Sequence, residues 1–183
     1  MKPFVETDAM APISYYGWSK QMMENSIHYV HRTTGLKYLI LRPSNPYGHG
    51  QNIHARQGLI AVALGKIFAG EPITVWGDGS NVRDYIYIDD LCKAVVQLIE
   101  KDVHNTTINI GSGEGVSIND IIRVLKEVVD EEVKVDYLPA RSADVAHMIL
   151  DTSRLKKYVN MNFTSLHEGI TKFYQELKGK IKI

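Results

Sequence analysis

Apolar positions along this chain recur with two alternating periods, one near 3.6 residues and one near two, and the alternation predicts the fold. Between residues 15 and 34, Trp18, Met22, Met23, Ile27 and Val30 fall on one stripe of a helix, with Ser14 as N-cap and Gly35 as stop. The stripe reads as a core face. A β-rich run, LKYLILR (36–42), follows, then a helix over 56–69 that ends at Gly70. PITVWG (72–77) predicts a strand closed by the turn G-D-G-S, and DYIYI (84–88) alternates as a strand does. DDLCKAVVQLIE (89–100) predicts an amphipathic helix with two acids in its first turn, where the helix dipole favours them. TINI (107–110) and VKVDYL (133–138) read as strands on either side of a helix at 117–130 capped by Ser117. A last helix is expected over 164–178, capped by Thr164 or Ser165. Strands and helices in this order predict an α/β fold with at least part of the sheet parallel.

Composition narrows the function classes. The 183 residues are enough for one domain, or one and a small part, with a real core. Lys+Arg and Asp+Glu both number 21, so nothing suggests a nucleic-acid surface, which needs a basic excess. No apolar run approaches the ~20 residues of a membrane span. The start, MKPFVETDAMAP, lacks the apolar centre of a signal peptide. A single cysteine, Cys92, excludes an internal disulfide and is expected buried on its helix, and a cytoplasmic location is expected. The seven histidines are scattered and no metal is expected; His28 and His31, three apart on a helix, make a poor site.

The candidate chemistry begins at SYYGWSKQ (14–21). Tyr16 and Lys20 are four apart and share a helix face. An ammonium beside a phenol stabilises the phenolate and makes tyrosine a usable general base. The plainer alternative is a half-buried tyrosine beside a solvated lysine. Tyr15 has only Ser19 at the same spacing. In RPSNPYG (42–48), N-P-Y-G alone reads as a turn. Arg83, after a glycine-rich turn, and Arg141 carry planar guanidinium groups that suit a diphosphate, or else pair with Asp84 and Asp144. INIGSGEGVSINDII tempts as a dinucleotide loop, but its third glycine comes one residue early and Asp136 stands inside the next strand.

Taken together, ETDAMAPISYYGWSKQMMEN, LILRPSNPYGHGQN, GDGSNVRDYIYIDDL, NIGSGEGVSINDII and RSADV with LDTSRLKK resemble the extended short-chain dehydrogenase/reductase family, in the family's order and over nearly the whole chain. The likeness is greatest to nucleotide-sugar epimerases and dehydratases, UDP-glucose 4-epimerase above all. It implies Tyr16 as acid/base on a sugar hydroxyl, and Lys20 as the residue that holds the nicotinamide ribose of NAD and lowers the tyrosine pKa. It implies Pro43 near the nicotinamide, and Asn45, Arg83 and Arg141 on the nucleotide-sugar. It also implies a homodimer through the tyrosine helix. Glu24, four residues after Lys20, favours C4 epimerisation of a UDP-hexose through a 4-keto intermediate. A 4,6-dehydratase, or a non-catalytic sugar-nucleotide-binding remnant, is the alternative.

The resemblance also exposes a departure. Family members carry a glycine-rich loop on a first strand, and a serine or threonine shortly before the tyrosine helix; neither is here. The chain reads as the C-terminal part of a Rossmann-like fold plus a small α/β substrate-binding region. Residues 1–45 and about 84–115 resemble the end of the dinucleotide-binding domain, and about 46–83 and 116–183 the substrate region. The expectation is weak NAD binding and no turnover by this chain alone, with LKYLILR and TINI lacking strand partners.

Overall fold

The computed structural model describes residues 2–140 and 146–181. Helix α1 (Tyr15–Thr34) is followed by β1 (Leu39–Pro43), β2 (Asn45–Tyr47), α2 (Leu59–Phe68), β3 (Ile73–Trp76), β4 (Val82–Arg83) and β5 (Tyr85–Tyr87). The chain continues through α3 (Ile88–Glu100), β6 (Thr106–Ile110), β7 (Val116–Ser117), α4 (Ile118–Val128), β8 (Val135–Leu138), β9 (His147–Met148) and α5 (Leu166–Ile181). β1–β6, β2–β5, β3–β8 and β4–β9 pair in parallel, and only β4–β7 is antiparallel among the described residues. The fold is therefore α/β with parallel pairing, as the alternation predicts.

Local signals explain the boundaries. Ser14 caps α1 by accepting the Gly17 amide at 3.1 Å, and Gly35 ends the helix in the left-handed conformation. Ser117 and Asp120 form a capping box on α4. Helix α2 starts at Leu59 rather than near 56, because Gly58 turns the backbone to φ 89° just before it.

β5 shows how two cores are joined. Its alternation sends Ile86 into one cluster, with Ala94 and Leu98 of α3 and Ile108 and Ile110 of β6. Tyr85 and Tyr87 turn to the other cluster, built from α2, β3, α4 and α5.

Four expectations change. N-P-Y-G is not a plain turn: Asn45–Tyr47 form β2 against β5. LKYLILR and TINI are not both left without partners, since β1 and β6 pair over five residues, Leu39↔Thr106 to Pro43↔Ile110. The Asn109 amide of β6 also donates to Glu6 Oε1 at 2.9 Å. Cys92 is exposed, because the apolar face of α3 is carried by Ala94 and Leu98. Finally, the apolar stripe of α1 is not core. No residue of that helix is buried, and Trp18 and Met23 are more than half exposed.

What holds α1 is a polar clamp. Arg42 of β1 donates from Nε to Glu24 Oε1 at 2.9 Å and from Nη2 to Glu24 Oε2 at 2.7 Å, and its Nη1 donates to the Glu6 carbonyl at 3.1 Å. This fork-on-carboxylate geometry is the strong form of the ion pair. The Glu24 hydrogen bond is also the main reason the Arg42 guanidinium stays protonated above its ordinary value. Glu24→Ala leaves a partly buried guanidinium without its acid and is expected to cost about 2 kcal/mol, or roughly 4–8 °C in melting temperature. Amide exchange should quicken first in α1; an unchanged exchange rate there would show that the clamp does not hold the helix.

Candidate functional site

Ser44 between β1 and β2, strand β2, the first turn of α1 and the amino end of α2 meet at a cleft of about 480 Å³. Its walls include Tyr16, Ser44, Asn45, Gln51, Gln57, Gly58 and Tyr85. A hollow of similar size at Pro12–Trp18 is more open, with Ser14 and Tyr15 as its only polar side chains, and is the lesser candidate.

Each wall residue is placed by a nameable cause. Tyr16 and Lys20 stand one turn apart on α1, and the Lys20 ammonium lies over the Tyr16 ring, 5.2 Å from its centroid. Both side chains are exposed. Asn45 is pinned by Asp84: the Asp84 carbonyl accepts the Asn45 backbone amide at 3.0 Å and its Nδ2 at 2.7 Å. The Asn45 Oδ1 is thereby left as the atom available to a ligand. Tyr85 follows on β5, its phenol pushed up to about 12, first by burial and against the pull of the nearby Arg83.

Asp84 is the hub that sequence reasoning misses. It is 1% exposed and carries no pairing with Arg83. Its Oδ1 accepts the Ser112 amide and hydroxyl, both at 2.9 Å, and its Oδ2 accepts the Gly113 amide at 3.1 Å. The Arg83 guanidinium donates to the Val82 carbonyl at 2.8 Å and stays free of any acid among the described residues. The reading of Arg83 as the partner of Asp84 is thus set aside. Arg141 and Asp144 lie outside the described residues.

The same carboxylate decides the glycine-rich segment Gly111–Gly115. A Cβ on Gly111 would sit 2.4 Å from Asp84 Oδ2, so this loop is closed around a protein anion. A pyrophosphate would compete for the same amides and be repelled by the same charge. Toward NAD, the residues present therefore fit one end only. Tyr16, Lys20 and the exposed Pro43 are the residues that the resemblance offers to a nicotinamide ribose, but the glycine-rich segment 111–115 offers its pyrophosphate no cradle.

Of the expected site residues, the structure brings Tyr16 and Asn45 to one cleft, with Lys20 over the Tyr16 ring but outside the cleft lining, Pro43 two residues from Asn45 and Arg83 one residue from the hub that holds it. No group of three or more His, Cys, Asp or Glu among the described residues is placed to hold a metal, and His28 and His31 instead pack edge-on against Tyr38. No helix among the described residues is long and apolar enough to cross a membrane.

Comparison with known proteins identifies the family and agrees with the fold. Residues 2–111 match the NAD dependent epimerase/dehydratase family. The chain is 34% identical over 179 residues to dTDP-4-dehydro-6-deoxyglucose reductase of Escherichia coli, covering 97% of this chain and 57% of that protein. It is 29% identical over 163 residues to dTDP-glucose 4,6-dehydratase of Xanthomonas campestris, covering 84% and 46%. It superposes with a TM-score of 0.92 on UDP-glucose 4-epimerase of Thermotoga maritima, solved with UDP-glucose, at 34% identity over 99% of this chain and 59% of that one. The chain thus spans about half the length of the relatives it matches, between 46% and 59% of each.

Proposed function

The chain belongs to the NAD dependent epimerase/dehydratase family, and on that premise we propose that it forms the acid/base and sugar-nucleotide half of an enzyme that epimerises C4 of a UDP-hexose. The observation that carries this reading is the Tyr16–Lys20 pair at a cleft shared with Asn45. The likeness to an epimerase solved with UDP-glucose supports epimerisation over the dehydratase and reductase chemistry of other relatives.

NAD, when bound, supplies the oxidant that takes hydrogen from C4 and gives it back. Tyr16 Oη accepts the proton of the C4 hydroxyl as the 4-keto sugar forms and returns it after the sugar has presented its other face. The Lys20 ammonium, which lies over the Tyr16 ring, is the charge we assign to supporting that exchange. A site that lets the sugar turn must hold it loosely, so the firm grip falls on the nucleotide. To Arg83 we assign a charged fork for the diphosphate, and to Asn45, whose Nδ2 is taken by the Asp84 carbonyl, an acceptor Oδ1 for the same ligand. The exposed stripe of α1 is the face we assign to pairing with a second copy, in the expected homodimer.

Thermal unfolding with UDP and with NAD tests this division of labour. UDP at about 100 times its dissociation constant is expected to raise the melting temperature by roughly 5–10 °C. NAD at the same concentration should leave it unmoved, since the pyrophosphate has no cradle among the described residues. Arg83→Ala should weaken UDP about tenfold or more, by loss of charge-assisted hydrogen bonds. Equal UDP affinity in that variant, or a UDP shift of zero in the parent chain, would count against the assignment.

A further inference from the structure

Among the described residues, three buried side-chain nitrogen or oxygen atoms have no hydrogen-bond partner: Ser44 Oγ, Gln51 Oε1 and His147 Nδ1. Two of the three belong to residues that line the one cleft. Buried polar atoms are almost always satisfied, so two orphans in a single cleft ask for a ligand that satisfies them.

The chemistry of that ligand follows from the two atoms. The Gln51 amide cannot be turned round, because its Nε2 donates to the Pro46 carbonyl at 3.1 Å, which only a donor can do. Oε1 is therefore the free end, and it can only accept. Gly58 leaves room for the amide, since a Cβ there would press to 3.1 Å from Nε2. Ser44 Oγ can donate or accept. A phosphate oxygen offers no proton to Gln51, and an ammonium, which can donate to both oxygens, leaves the Ser44 O–H without an acceptor. A hydroxyl does both: it donates to Oε1 and accepts from Oγ–H.

Ribose hydroxyls of the nucleotide meet the same chemical demand, but the cleft that holds both oxygens also holds Tyr16, the acid/base proposed at the hexose. We propose that Ser44 and Gln51 are specificity-determining residues that read a hydroxyl of the hexose rather than of the nucleotide; this deepens, and rests on, the nucleotide-sugar reading above. Neither residue needs to take part in proton transfer. Their effect is to reject a ligand that lacks a hydroxyl at that point, because the buried oxygens would then stay unpaired.

The test compares UDP-glucose with UDP by calorimetric titration of the full chain. Ser44→Ala removes a hydroxyl with no internal partner, so the variant should melt no lower than the parent. It is expected to lose roughly three- to tenfold in UDP-glucose affinity and nothing in UDP affinity. Gln51→Met should show the same selective loss, with a slightly lower melting temperature from the lost bond to Pro46. Unchanged UDP-glucose affinity in both variants overturns the proposal, as does an equal loss for UDP, which would make these nucleotide contacts. A parent chain that binds UDP and UDP-glucose equally overturns the hydroxyl-reading pair and leaves the nucleotide-sugar reading standing. A parent chain that binds neither overturns both.

Discussion

Asp84→Ala is expected to lower the melting temperature by roughly 10 °C, the largest stability loss of any single change described for this chain. The carboxylate is buried and accepts three good hydrogen bonds, two from Ser112 and one from Gly113. Alanine leaves those donors buried without an acceptor, at about 1–3 kcal/mol each, partly offset if water enters the space. A total of roughly 3–5 kcal/mol is a large share of the ~5–15 kcal/mol that a domain possesses. Asp84→Asn keeps the shape but turns an amide donor toward other donors, so it should fall between the two. The site should suffer as well, since the Asp84 carbonyl sets the Asn45 side chain. A variant that melts within about 2 °C of the parent would show that the loop 111–113 does not depend on this anion.

Tyr16→Phe is the second large effect, and it lies in rate rather than stability. The Tyr16 side chain is 74% exposed and donates no hydrogen bond among the described residues, so its hydroxyl supports nothing in the fold. As the proposed acid/base, its loss should slow epimerisation by about 10²–10⁴-fold, the usual contribution of a positioned proton-transfer group. The assay uses a chimera that joins this chain to the unmatched part of the Thermotoga relative, of which 59% is matched here. UDP-glucose affinity should hold within about threefold, since the tight contacts are with the nucleotide. A Phe variant that keeps a tenth of the rate or more would move the acid/base role to another group, with Tyr85 the nearest phenol in the cleft wall.

What was legible in the sequence divides by the range of the interaction. Ser14, Gly35 and Ser117 act on backbone within a few residues, and their caps are where the sequence places them. Tyr16 and Lys20 meet because i and i+4 always do on a helix. The two-residue strands β4, β7 and β9 are too short to show a period. The role of Asp84 was hidden because its partners lie 28 and 29 residues away. Periodicity identified the apolar stripe of α1, yet a stripe says only that a face is apolar and not what covers it. The unpaired oxygens of Ser44 and Gln51 have no sequence signature, since lacking a partner is a property of the folded neighbourhood.

The clamp between Arg42 and Glu24 has a thermodynamic consequence. Helix α1 buries none of its residues, so its docking leans on that ion pair and on the packing of His28 and His31 against Tyr38, and local opening should cost less there than global unfolding. Tyr16 rides on this element while Asn45, across the cleft, belongs to the sheet. A ligand that touches both binds only the docked form, and its apparent affinity is scaled by the fraction of time the helix is docked. Linkage makes the relation reciprocal: the ligand tightens the helix by as much as the docked helix tightens the ligand. A charge pair outside the cleft thus sets part of the affinity within it.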